Sequence, residues 1–233
     1  MSADPVCERV RFQGNTGRLS GELAYCWDSP VGNCMLLNPH PYMGGRMDNP
    51  VIKAMAVHLA GQGWITLRFD YAGVGESEGP PIDMASSMAL FWETGHAPID
   101  GAMLADAAVA AEWLKSQADL PVALIGYSFG AFAACTLIER NPSAMILISP
   151  TITRHDFSSL QACGVPKFIV YGENDFATPR GQLNAWYSAL SEPKSLQCVD
   201  GGDHFFRGQE QTVAGHCLEF LAAYPSAPAG LKA

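Results

Sequence analysis

Eight short runs with the composition of strands punctuate the chain, and most are too far apart to be joined by hairpins. They are Arg9 to Gln13, Leu19 to Tyr25, Cys34 to Asn38, Trp64 to Phe69, Val122 to Gly126, Met145 to Ser149, Phe168 to Tyr171 and Ser195 to Val199. The later runs are separated by stretches with helical spacing, the length that crossovers between parallel strands need. The pattern predicts an α/β class, a mostly parallel sheet covered by helices. Only the first two runs, joined across Gly14, Asn15, Thr16 and Gly17, carry the turn chemistry of an antiparallel hairpin.

Helices fit the gaps. Pro50 to Leu59 is stopped by Gly61 and Gly63, Gly101 to Lys115 follows Asp100 as N-cap, and Phe129 to Arg140 ends at Asn141 and Pro142. Two more are expected at Pro179 to Leu190 and Gln209 to Ala223. With neither an internal repeat nor a linker, residues 1–233 read as a single domain, with a tail expected to fray over 225–233.

One connection is too long for its place. About 30 residues lie between Phe69 and Asp100, where a loop from strand to helix takes about 2 to 6. Within 80–98, Asp83 is placed to cap a short helix closing at Gly95, with Met84, Met88, Phe91 and Trp92 at i, i+4, i+7 and i+8. Such a stripe is ordinarily core. Here it leaves the carboxyl end of a strand, where ligands of open α/β sheets bind, and a small lid over a substrate is expected.

Composition narrows the partners. Hydrophobic residues make up 48% of the 233, so the chain can build a core, and a formal charge of −9 (14 basic against 23 acidic) repels phosphate backbones and anionic lipid. Nucleic acid and membrane are therefore poor partners. Apolar runs reach about five residues where a membrane span needs about 18. Met1 to Arg11 contains Asp4, Pro5, Glu8 and two arginines instead of an apolar signal core, so a cytoplasmic protein is expected. The seven cysteines are odd in number and form no C-x-x-C pair, which predicts reduced thiols instead of a disulfide framework or zinc cluster.

The sharpest motif is Gly126-Tyr127-Ser128-Phe129-Gly130, placed directly after Val122 to Ile125 and opening an alanine-rich helical stretch. This strand-turn-helix setting is what G-x-S-x-G needs, because the turn is tight and the positions two before and two after the serine must be small. A serine hydroxyl is a weak nucleophile, so it needs a base, and the base needs a group that holds its tautomer. Two downstream segments supply them: Lys167 to Tyr171 runs into Gly172-Glu173-Asn174-Asp175, and Ser195 to Val199 runs into Asp200-Gly201-Gly202-Asp203-His204. The order Ser128, Asp175, His204 is that of the α/β-hydrolase triad. Asp175 is preferred to Glu173 because it lies further past the strand, and Asp203 is read as a loop hydrogen-bonder. The other histidines, His58, His96, His155 and His216 among them, are expected to be structural or solvated.

The chain resembles small bacterial serine α/β-hydrolases. The resemblance rests on His40-Pro41-Tyr42-Met43-Gly44-Gly45, the segment Arg68 to Gly79 with its Gly73, Gly75 and Gly79, the elbow, and Asp203-His204-Phe205-Phe206. It implies the α/β-hydrolase fold, with helices on both faces of an eight-stranded sheet. About 16 residues separate Pro150 from Pro166, so the large cap that many such proteins insert there is expected to be missing. It also implies an oxyanion loop in which the backbone N–H groups of Tyr42 and Phe129 receive the developing negative charge. His40 joins Met84, Met88, Phe91 and Trp92 as a substrate-binding candidate.

The expected chemistry is hydrolysis of a small or medium carboxylic ester or thioester through an acyl-enzyme. Acyl transfer or C–C bond hydrolysis on the same three residues is an alternative, as is a non-catalytic binding protein of the same fold. No cofactor is expected: G-x-G-x-x-x-G after the fourth strand lacks dinucleotide spacing. No histidine and carboxylate spacing resembles a metal ligand set, so no metal is expected either.

Overall fold

The computed structural model describes residues 4–26 and 30–224, and only the backbone of Met84 and Ser86. The expected fraying of 225–233 falls outside the described residues. Eight strands, β1 (Val6–Gln13), β2 (Arg18–Tyr25), β3 (Gly32–Leu37), β4 (Trp64–Phe69), β5 (Val122–Tyr127), β6 (Ala144–Ile148), β7 (Lys167–Gly172) and β8 (Lys194–Val199), build one sheet. Its order is β1-β2-β4-β3-β5-β6-β7-β8. The pairs β1/β2 and β2/β4 are antiparallel, and every other pair is parallel. Each expected strand is present, with ends that move by a few residues.

Alternation along the central strands sorts the core into two layers. Cys34 and Leu36 of β3, Ala123 and Ile125 of β5, and Ile146 and Ile148 of β6 pack toward α1 (Pro50–Ala60) and α6 (Glu210–Ala223). Their neighbours Met35, Leu37, Leu124, Met145 and Leu147 pack on the opposite face against α3 (Asp100–Gln117), α4 (Phe129–Cys135) and α5 (Arg180–Ala189). Helices thus cover both faces with no large cap domain. Among the described residues no helix is long and apolar enough to cross a membrane.

Two helix expectations need correction. The helix expected over Phe129 to Arg140 ends at Cys135, and the chain resumes as a 3-10 turn over Ile138–Arg140. Thr136 is where it stops: its Oγ1 donates back to the Ala133 carbonyl at 2.8 Å, a local bond that competes with the helical ladder. Asn141, at φ 53°, then turns the chain away. Asp100 is not an N-cap either. It is the first residue of α3, and its carboxylate turns back to accept from the Ala97 N–H at 3.1 Å and to meet His40 at 3.2 Å.

The long connection does carry a helix, α2 (Met84–Thr94), with Asp83 Oδ1 accepting from the Ala85 N–H at 3.1 Å and Gly95 closing it at φ 80°. The loop after β3 is held from β4. Asp70 Oδ1 accepts from the Met47 N–H at 2.6 Å, while Arg68, paired with Glu22, donates to the Met47 carbonyl. These three side chains are buried or nearly so, and they fix the far end of the loop that begins at His40.

Candidate active site

β5 delivers Ser128 to the mouth of α4 with φ 56° and ψ −116°, and its N–H donates to the Ile148 carbonyl at 2.8 Å. The turn is possible because of two glycines. A Cβ on Gly126 would lie 2.1 Å from the Gly130 carbonyl oxygen, and one on Gly130 would lie 2.1 Å from that of Leu37. No side chain could be accommodated at either position without moving backbone.

His204 follows β8 and Asp175 follows β7, and the parallel register sets these strand ends side by side. Ser128 Oγ lies 3.0 Å from His204 Nε2, and His204 Nδ1 lies 2.8 Å from Asp175 Oδ1. All three residues are buried. Burial works to raise the Asp175 carboxyl, but the hydrogen bonds from His204 and the Ala177 N–H outweigh it and hold the group below the ordinary carboxylate value. An ionised carboxylate only accepts, so Nδ1 carries the imidazole proton and Nε2 turns its lone pair to the hydroxyl. Chemically, the arrangement can pass a proton from Ser128 Oγ to His204 while Asp175 faces the resulting positive ring.

The competing acids lie elsewhere. Glu173 Oε2 accepts from the Gly201 N–H at 2.9 Å on the surface, and Asp203 Oδ1 accepts from the Phe205 N–H at 2.9 Å inside its own loop.

The two oxyanion candidates differ. Phe129 is the first residue of α4, so its N–H has no acceptor within the helix. The Tyr42 N–H, in the 3-10 turn Pro41–Met43, donates to His40 Nδ1 at 3.1 Å and is engaged within its own loop. His40 is buried, with Nε2 3.2 Å from Asp100 Oδ1, so both ring nitrogens are committed.

A cavity of about 160 Å³ opens onto Ser128 and His204. Phe91 and Trp92 from α2, Phe129, Phe176 and His155 form much of its wall, and His40 also lines it. The Phe91 ring stacks on His40 with centroids 4.6 Å apart. Met88 is half-buried and is not among the residues that line the cavity, and the Met84 side chain is outside what is described. Of the stripe's described side chains, Phe91 and Trp92 line the cavity and Met88 does not.

Three contributors escaped the sequence reading. Tyr127 Oη donates to the His204 carbonyl at 2.5 Å, tying the histidine loop to the strand that carries the serine. Thr178 Oγ1 lies 3.2 Å from both Asp175 Oδ2 and the Pro150 carbonyl. Phe176, 57% exposed, holds its ring 4.9 Å from that of His204. Tyr127 sits inside the elbow motif, but nothing in its neighbours indicates a partner 77 residues away. For Thr178 and Phe176 the only signal was their position just after the acid.

Fold and hydrogen-bond order converge on one class: the chain belongs to the small bacterial serine α/β-hydrolases. The uncharacterized protein RP471 of Rickettsia prowazekii is 30% identical over 94% of this chain and 90% of its own length. A family model described as "Serine aminopeptidase, S33" matches residues 49–163, a span that includes Ser128 and ends before Asp175 and His204. Among solved structures, ATU1826 of Agrobacterium tumefaciens is 27% identical with a TM-score of 0.78, covering 92% of this chain and 95% of that one. XC6422 of Xanthomonas campestris, described as an α/β serine hydrolase without lid, shares the fold at 23% identity and a TM-score of 0.78, with 95% and 96% covered.

Proposed function

We propose that this chain hydrolyses a small or medium carboxylic ester or thioester through an acyl-enzyme. Ser128 Oγ attacks the carbonyl as His204 Nε2 takes its proton. The protonated ring, oriented by Asp175, then returns that proton to the leaving group. Water repeats the cycle on the acyl-Ser128. Phe129 N–H is the first oxyanion donor. Tyr42 N–H is the second, and it must share or release its bond to His40 Nδ1 to serve.

The observation that carries the reading is the continuous hydrogen-bond line Ser128–His204–Asp175 opening onto a cavity walled by Phe91, Trp92, Phe129 and Phe176. The cavity, about 160 Å³, compares with an engineered apolar cavity of about 150 Å³ that takes up benzene, so a single ring or a short acyl chain is the matching group. The seven thiols suit a reducing compartment, and the reading places the reaction in the cytosol.

A fluorophosphonate probe should label Ser128 in the folded protein. Ser128→Ala should abolish labelling, stay folded, and lower turnover of p-nitrophenyl esters by about 10³-fold or more. A panel of those esters of graded chain length, run beside acyl-CoA thioesters, assigns the acyl group. Turnover in Ser128→Ala comparable to the unmodified chain refutes the reading, and a folded protein that takes no probe favours a binding role instead.

A further inference from the structure

At the cavity wall that holds His155, three side chains from separate elements converge. His96 stands just past the end of α2, Asp100 opens α3, and His155 lies in the loop after β6. Each brings one potential ligand atom, and these atoms all lie within 4.8 Å of one another. Neither their spacing along the chain nor the proposed ester chemistry accounts for the grouping.

His155 Nδ1 is 2.8 Å from Thr151 Oγ1, while its Nε2 is buried with no hydrogen-bond partner among the described residues. A buried nitrogen of this kind costs free energy unless something takes up its lone pair. With Nδ1–H donated to Thr151 Oγ1, Nε2 keeps a free lone pair, and metal-bound imidazoles likewise donate their second nitrogen's N–H to a neighbouring oxygen. The ring is kept in place by stacking on Phe132, centroids 4.6 Å apart.

Asp100 is likewise fixed from behind, by His40 Nε2 on one oxygen and the Ala97 N–H on the other. His96 is the adjustable member: its ring is exposed and its Nδ1 is 3.4 Å from Asp100 Oδ2.

We propose that His96, Asp100 and His155 form a binding site for a divalent transition-metal cation, with zinc the best match. Two imidazoles and one carboxylate favour zinc, cobalt or nickel over magnesium or calcium, which prefer all-oxygen shells. Ligands around tetrahedral zinc, each about 2.0–2.2 Å from the metal, stand about 3.3–3.6 Å apart. The bound cation fastens the C-terminal end of α2 to α3 and to the loop bearing His155, and so sets the position of one cavity wall. The site does not depend on Ser128 reacting, so it can be tested apart from the proposed hydrolysis.

The test is calorimetric titration of zinc chloride into the reduced, metal-stripped full chain and into its Ser128→Ala variant. One zinc per chain is expected in both, with dissociation constants in the micromolar range or tighter. His96→Gln, at an exposed position, and His155→Phe, which keeps a stacking ring, should each weaken binding by about tenfold or more. Zinc should also raise the melting temperature of the unmodified chain, and at the same zinc concentration raise that of His96→Gln by less. Cobalt(II) at the same site should give a visible spectrum without a thiolate charge-transfer band, which separates it from the cysteines. No saturable binding up to about 1 mM, unchanged affinity in both variants, or a thiolate band would overturn the proposal.

Discussion

Ser128 occupies backbone angles, φ 56° and ψ −116°, that an L residue adopts at a cost of about 1–3 kcal/mol. The surrounding contacts enforce it: the N–H is held by Ile148, and the flanking glycines let α4 lie against the ends of β3 and β5. The strain is stored because it points Oγ away from the sheet and toward His204. Removing the hydroxyl in two ways separates backbone from side chain. Ser128→Gly should be about 1 kcal/mol more stable than Ser128→Ala in urea denaturation, since both lack Oγ and only alanine keeps the Cβ that disfavours this conformation. Equal stabilities would mean that the turn relaxes freely and holds no strain.

At the scale of elements, the close approach of α4 to β3 depends on Gly130. A methyl there meets the Leu37 carbonyl at 2.1 Å and that of Asn38 at 2.7 Å, and strand backbone cannot retreat as a side chain can. Gly130→Ala should therefore lower stability by about 3 kcal/mol, read as a fall in melting temperature. Gly101→Ala, in α3 with nothing within 4 Å of the added methyl, is the control and should gain about 0.5–1 kcal/mol. This contrast also explains how much of the site was readable in the sequence. Gly126, Ser128 and Gly130 form a local pattern whose meaning lies in a turn of five residues, and eight strands announced themselves by composition and spacing. What sequence could not reveal was lateral. The Tyr127 bond to the His204 carbonyl, the commitment of the Tyr42 N–H to His40, and the meeting of His96 with His155 all join segments whose relation is set by the order of strands and not by anything nearby in the chain.

Across the whole molecule, the buried carboxylate of Asp175 links the site to global stability. Its folded pKa lies below the unfolded value of about 3.9, so the unfolded chain binds the proton more readily. The stabilisation it contributes is fully present above about pH 3.9 and is lost as pH falls through the lower folded value. Between pH 5 and pH 3 the urea midpoint of the unmodified chain should fall further than that of Asp175→Asn, which has no carboxyl to protonate. Equal falls would show that the His204 bond does not favour the ionised form.

The sheet also adds β5, β6, β7 and β8 in chain order, and the last of them brings His204, 76 residues after Ser128. A ribosome making this protein therefore releases the hydroxyl long before the imidazole. On the proposed reading a partly synthesised chain has no means of attacking metabolites until the segment that carries His204 has been made.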